Sequence, residues 1–289
     1  MPTLVQPIHN GVTNPLLTPS STGIDTSQTI TRVVTIGLSG PSSGGKTTVA
    51  RYLKAILPNS TIVHQDDFYL PEVQIPIDPK NGLANWDCPA AIDFSAMNAT
   101  LSHVRKHGVF PEGFDSLEDK NPVGSKALSS PIPQNILDEL REKILAPLPE
   151  EERMTTMFVI LDGFILYVDE QLRNAIDFKF FLTAPYQILK DRRESRKGYA
   201  TLEGYWVDPP GYFDDIVWPN YLICNAPFVG ITEAMEAGQD SGVFDSEKRL
   251  PGAHPMTQQV DLISSGNATI RMMVESVSSL LARRLADAL

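Results

Sequence analysis

The chain's 289 residues suffice for one sizeable α/β core with additions. Its 24 basic and 35 acidic side chains give a formal charge of -11, which argues against a nucleic-acid partner. No run of about 20 apolar residues offers a membrane span, and no basic-then-apolar leader marks the amino terminus. The only two cysteines, Cys88 and Cys224, cannot build a disulfide framework, so a cytoplasmic or nuclear compartment is expected.

Residues 1–30 are rich in Thr, Ser, Pro, Asn and Gly and read as a flexible tail, with a single folded domain expected over 31–289. Val33–Leu38 is a branched, apolar strand. Residues 47–57 have helical spacing, with Val49, Leu53, Ile56 and Leu57 on one side. Between them lies Gly40-Pro41-Ser42-Ser43-Gly44-Gly45-Lys46-Thr47, a complete phosphate-binding loop in the strand–turn–helix setting that the motif requires. Gly40, Gly44 and Gly45 let the backbone curl so that amides, including those of Ser42 and Ser43, point at phosphate. The helix that starts near Lys46 and runs on through Thr48 adds its positive end. Lys46 can reach terminal phosphates, and the Thr47 hydroxyl can ligate Mg2+.

Ser60–His64 reads as a second strand that ends at Gln65-Asp66-Asp67-Phe68-Tyr69. Pro71, Pro76, Pro79 and Gly82 then forbid a regular element, so a surface excursion runs to Asn85-Trp86-Asp87. A helix is expected over 91–106. An insertion over 108–153 follows, an exposed loop to 134 and a short helix at 135–145. Met157–Leu161 is the clearest buried strand and delivers Asp162 to the sheet edge where open α/β folds bind ligands. Phe178–Leu182 is a strand, followed by a helix from about Pro185 that carries Lys190, Arg192, Arg193 and Arg196. Helix resumes over 214–225, and a strand near 258–263 precedes a helix from about Thr269. The alternation implies an α/β, three-layer fold with a mainly parallel central sheet flanked by helices, and a lid around 186–210.

A triphosphate loop alone does not fix a reaction. Asp66 is placed to orient an acceptor hydroxyl and take its proton, or to hold magnesium through water; Asp67 suits a cap. Asp162 can bind magnesium or an acceptor hydroxyl. The cations of the 185–196 helix suit phosphate oxygens, with Arg192 and Arg196 four residues apart on one face; an exposed charged helix is the plainer alternative. Trp86 can stack on a base beside the Asp87 carboxylate, or close an edge of the core.

These motifs resemble the nicotinamide riboside kinases, fungal forms in particular, within the uridine kinase-like and nucleoside monophosphate kinase-like P-loop enzymes. The resemblance covers roughly 32–100 and 157–225. It rests on the loop, on Gln65–Tyr69, on Phe181-Leu182-Thr183-Ala184-Pro185-Tyr186, on Pro209–Asp214 and on Val217-Trp218-Pro219. It implies ATP- and Mg2+-dependent phosphorylation of the ribose 5′-hydroxyl of nicotinamide riboside, with nicotinic acid riboside as a further acceptor. In that reading Asp66 is catalytic with Lys46, Arg192 and Arg196, Asp87 binds ribose hydroxyls, and Asp162 stands where the family has a glutamate. Phe68 lies by the acceptor, Trp86 stacks on the nicotinamide ring, Arg193 binds the acceptor, Arg192 also contacts ATP, and Tyr199, ahead of Tyr205, opposes Trp86. Thr47, Asp66 and Asp162 would serve the metal. A monomer is expected, a dimer being compatible. A uridine/cytidine kinase on the same scaffold, and a nucleotide-dependent binding protein, are the competing readings.

Overall fold

The computed structural model describes residues 30–118, 132–196, 198–201, 204–229, 243–244 and 260–289. The tail expected over 1–30, save Ile30, and the middle of the 108–134 loop lie outside the described residues. The 238–255 loop lies outside them as well, save for residues 243–244.

β1 (Arg32–Ser39), β2 (Ser60–His64), β3 (Thr156–Asp162), β4 (Phe178–Thr183) and β8 (Val260–Ser264) form a parallel sheet. Its order is β2-β3-β1-β4-β8, with β7 (Val243–Phe244) antiparallel on the β8 edge. β3 is buried along its whole length because helices cover both faces, and its alternate side chains serve different layers. Phe158 and Ile160 pack with Val49, Leu53 and Ile56 of α1 (Lys46–Ile56) and with Val277 and Leu281 of α7 (Ile270–Asp287). Val159 and Leu161 face the opposite layer, where Met97, Leu101 and Val104 of α2 (Phe94–His107) pack. The helix expected at 135–145 is α3 (Gln134–Leu145), which buries Leu137, Leu140 and Ile144 beside α1 and α7.

Register decides where function gathers. Asp162 pairs with Leu38 on one side and His64 on the other, so three strands end level and present their following loops at one edge. This is where open parallel sheets bind ligands.

Three boundaries differ from the sequence reading. α2 starts at Phe94, where the Asp93 side chain accepts the Ala96 amide, because Pro89–Ala91 forms a separate one-turn 3-10 helix. α5 (Tyr186–Glu194) stops at Ser195, and Arg196 lies beyond it, so Arg192 and Arg196 do not share a helix face. After the short α4 (Glu170–Ala175) and α5, the 198–212 segment contains a hairpin, β5 (Tyr199–Thr201) with β6 (Gly204–Trp206). A π-turn at Phe213–Val217 leads into α6 (Trp218–Cys224). No helix among the described residues is long and apolar enough to cross a membrane.

Candidate active site

The phosphate loop leaves β1 at Gly40, which has φ 136°. A Cβ there would stand 2.0 Å from the Leu182 carbonyl oxygen of β4, so only glycine permits this turn against the sheet. Gly45, at φ 90°, then opens α1 without a side-chain cap, leaving first-turn amides for an anion. Ser42, Ser43, Lys46 and Thr47 line the cavity beyond the loop. Gly40, Gly44, Gly45 and Thr48 shape the loop and helix start behind them. Lys46 Nζ donates to the Pro41 carbonyl at 2.9 Å. Burial pushes its pKa below the usual lysine value, while Asp162, Asp66 and Asp87 pull it back and Arg196 adds to the lowering.

The two central carboxylates are driven apart. Asp66 sits in the 3-10 turn Gln65–Phe68 and keeps solvent contact at the cavity mouth. Crowding by protein, then the negative charges of Glu118 and Asp162, push its pKa up to about 7, against the pull of Lys46 and His64. Asp162 is buried. That burial alone would raise its pKa, but the hydrogen bond to His64 Nδ1 at 3.1 Å, the His64 and Lys46 charges and a Thr47 hydrogen bond hold it below the ordinary carboxylate value. One group is therefore poised to take a proton near neutrality and the other stays anionic.

The far side of the cavity is built around Arg193. Its guanidinium donates to Asp208 through Nε at 2.7 Å and Nη2 at 3.1 Å, to Asp87 at 3.3 and 3.5 Å, and to Ser42 Oγ at 2.9 Å. Asp87 is buried, which raises its pKa, and Arg193 opposes that rise. Asp208 also accepts from Trp206 Nε1 at 2.9 Å, so one carboxylate orients both a cation and an aromatic ring. Trp206 faces Trp86 with ring centroids 5.6 Å apart, and Tyr69 meets Trp86 edge-on at 5.5 Å. Trp86, Trp206, Tyr69 and Phe164 thus give the cavity aromatic walls beside Asp87.

The structure brings together Ser42, Ser43, Lys46, Thr47, Asp66, Trp86, Asp87, Asp162, Arg193 and Arg196 on one cavity. Two of the expected site residues lie off that lining. Phe68 is buried and stacks on Phe114 at 5.8 Å, because the tight turn after β2 turns Tyr69, not Phe68, to the cavity. Arg192 does not reach the lining; it donates to the carbonyls of Ser43, Ser265 and Gly266 at 3.1–3.5 Å and ties the phosphate loop to the β8–α7 turn. Lys190 is likewise drawn away, to Asp214 at 2.5 Å. The Tyr199 and Tyr205 side chains lie outside the described residues; among those described, the ring facing Trp86 is Trp206, which Tyr199 opposes in the hairpin register.

Sequence reasoning passed over Asp208, Trp206, Tyr69, His64 and Glu118. The signal for Asp208 and Trp206 was present, since an acid and an aromatic stand just before Pro209-Pro210-Gly211. Among the described residues, no group of three or more His, Cys, Asp or Glu side chains could hold a metal ion by itself. A magnesium ion shared with phosphates needs fewer protein ligands, and the adjacent Thr47 hydroxyl and the Asp162 carboxylate, held below the ordinary carboxylate pKa, are hard oxygen donors that fit it.

No protein-family model matches the chain. It is 40% identical over 191 residues to the nicotinamide riboside kinase of Schizosaccharomyces pombe, covering 66% of this chain and 78% of that protein. It is 36% identical over 232 residues to the nicotinamide riboside kinase of Saccharomyces cerevisiae, covering 78% of this chain and 93% of that one. Nicotinamide riboside kinase 1 of Rattus norvegicus is 33% identical over 187 residues, covering 65% and 75%.

Proposed function

The chain belongs to the nicotinamide riboside kinase family, and from that premise we propose that it moves the γ-phosphoryl group of ATP to the ribose 5′-hydroxyl of nicotinamide riboside. The products are nicotinamide mononucleotide and ADP. The observation that carries this reading is that Lys46 and Thr47 of the phosphate loop share one cavity with Asp66 and with the Trp86–Trp206, Asp87–Arg193 acceptor end. The fungal relatives at 40% and 36% identity, against 33% for the rat protein, support a fungal-type member.

The loop amides and Lys46 hold the phosphates, with Lys46 exchanging its Pro41 carbonyl for phosphate oxygen. Thr47 and Asp162 would hold Mg2+, which supplies charge neutralisation across the phosphate oxygens. Asp66 orients the 5′-hydroxyl and accepts its proton as the oxygen bonds to phosphorus; a pKa near neutrality suits that transfer. Trp86 and Trp206, parting from their 5.6 Å contact, flank the cationic ring, and Asp87 accepts hydrogen bonds from ribose hydroxyls while Arg193 opposes the rise in its pKa. Arg196, beyond the end of α5, stands at the lining to meet phosphate charge. The end of α5 and the β5–β6 hairpin form the lid that shuts water out.

Transfer of label from γ-labelled ATP to the riboside tests this directly. A folded, ATP-binding chain that labels no riboside sinks it.

A further inference from the structure

The 108–153 insertion does not simply hang in solvent. Its described first part, up to Glu118, is stitched to the transfer site by three separate devices. Phe114 stacks on Phe110 at 4.6 Å and on Phe68 at 5.8 Å, which anchors the loop to the core beneath the catalytic turn. Asp67, the neighbour of Asp66, uses one carboxylate oxygen to accept the amides of Leu117 at 2.8 Å and Glu118 at 3.0 Å. Arg51, one helical turn beyond Thr47 on α1, donates to the Glu118 carbonyl at 3.4 Å and lies 3.6 Å from its carboxylate. As a result Leu117 and Glu118 line the same cavity as Asp66 and Thr47.

That placement sets the Glu118 carboxylate against the negative charge of Asp66, with Arg51 as a counter-charge 3.6 Å away. A loop free to relax would swing the carboxylate into water. Here an aspartate is committed to two backbone amides and an arginine to the same loop, so the fold holds the segment where its own charges resist it. The residue those two amides bracket is apolar: among the described residues, Leu117 is the one aliphatic side chain lining the cavity, next in the chain to Glu118, whose charge bears on Asp66.

Resting on the kinase reading above, we propose that the Leu117–Glu118 segment is a water-excluding wall of the transfer site, with Asp67 and Arg51 as its positioning residues. The wall suppresses the side reaction in which water replaces the riboside: a water oxygen bonds to the γ-phosphorus, the bond to the β-phosphate oxygen of ADP breaks, and the water's proton passes to solvent, leaving ADP and inorganic phosphate. Excluding water from a closed site is what limits such wastage in phosphoryl transfer.

The test uses the full chain with ATP, Mg2+ and nicotinamide riboside, and measures ADP, phosphorylated riboside and inorganic phosphate together, with and without the riboside. The wild type should give ADP and phosphorylated riboside one to one. Leu117→Ala and Asp67→Ala should raise ADP per phosphorylated riboside to about threefold or more and speed riboside-free hydrolysis. Asp67→Asn, whose amide oxygen can accept the same two backbone donors, should return the ratio close to one. A ratio that stays at one in both alanine variants, or uncoupling that Asp67→Asn does not repair, overturns the proposal. Should Asp67→Ala fail to fold, Leu117→Ala carries the test. If the wild type phosphorylates no riboside, the kinase reading fails instead, and riboside-free hydrolysis still reads the wall.

Discussion

The phosphate end and the acceptor end of the cavity are built in different ways. The phosphate end is local: Ser39 to Thr48 supplies strand end, loop, lysine, threonine and helix start in one run, fixed by glycine geometry. The acceptor end is assembled from distant pieces. Trp86 and Asp87 come from the loop before α2, Arg193 from α5, and Trp206 and Asp208 from the hairpin and its exit, joined by a buried ion cluster. A local motif tolerates nothing at a few backbone positions and much elsewhere. An assembled site depends on the side chains that tie its pieces together.

Substitutions can break or sharpen this contrast. Where the two ends meet, Asp66→Asn should lower kcat by about 10²- to 10⁴-fold while calorimetry finds ATP binding nearly unchanged. In the wild type, kcat/KM for the riboside should fall below about pH 7 as Asp66 takes a proton, and more Mg2+ should move that limb to lower pH by favouring the charged form. The limb should be missing from Asp66→Asn.

Gly40→Ala addresses the local end. Its methyl would meet the Leu182 carbonyl at 2.0 Å on a backbone with positive φ. A loss of more than about 2 kcal/mol in denaturant unfolding and weakened ATP binding are expected. Asp208→Ala addresses the assembled end, where it removes two contacts from Arg193 and one from Trp206. Riboside KM should rise about tenfold with ATP KM unchanged, because a desolvated ion cluster loses its bidentate partner. The smallest effect is expected of Arg192→Ala. Its bonds to three loop carbonyls are 3.1 to 3.5 Å long, so ATP KM should rise less than about threefold with kcat kept.

The same contrast explains what was legible in the sequence. β1, the loop and α1 could be read because each signal lies within a few residues of the next. Asp162 could be placed because β3 is apolar throughout and register carries its end to the edge. Arg193 could be expected at the acceptor, but nothing local shows that its neighbour Arg192 bonds to the carbonyls of Ser43, Ser265 and Gly266 rather than lining the cavity. Tyr69 rather than Phe68 lines the cavity because a single 3-10 turn rotates side chains differently from a strand or an α-helix. Asp208 acts through Arg193, 15 residues away, and Glu118 through Arg51 and Asp67, 67 and 51 residues away. Their sequence neighbourhoods look like ordinary loops.

The acceptor end is the part of the account most open to direct trial. Initial rates with nicotinamide riboside and uridine, at equal concentrations under saturating ATP and Mg2+, test whether its aromatic walls and buried carboxylate select a cationic ring. The expected result is a kcat/KM for nicotinamide riboside at least about tenfold above that for uridine, narrowed by Asp208→Ala. A folded, ATP-binding chain that phosphorylates uridine as well as or better than nicotinamide riboside would contradict it.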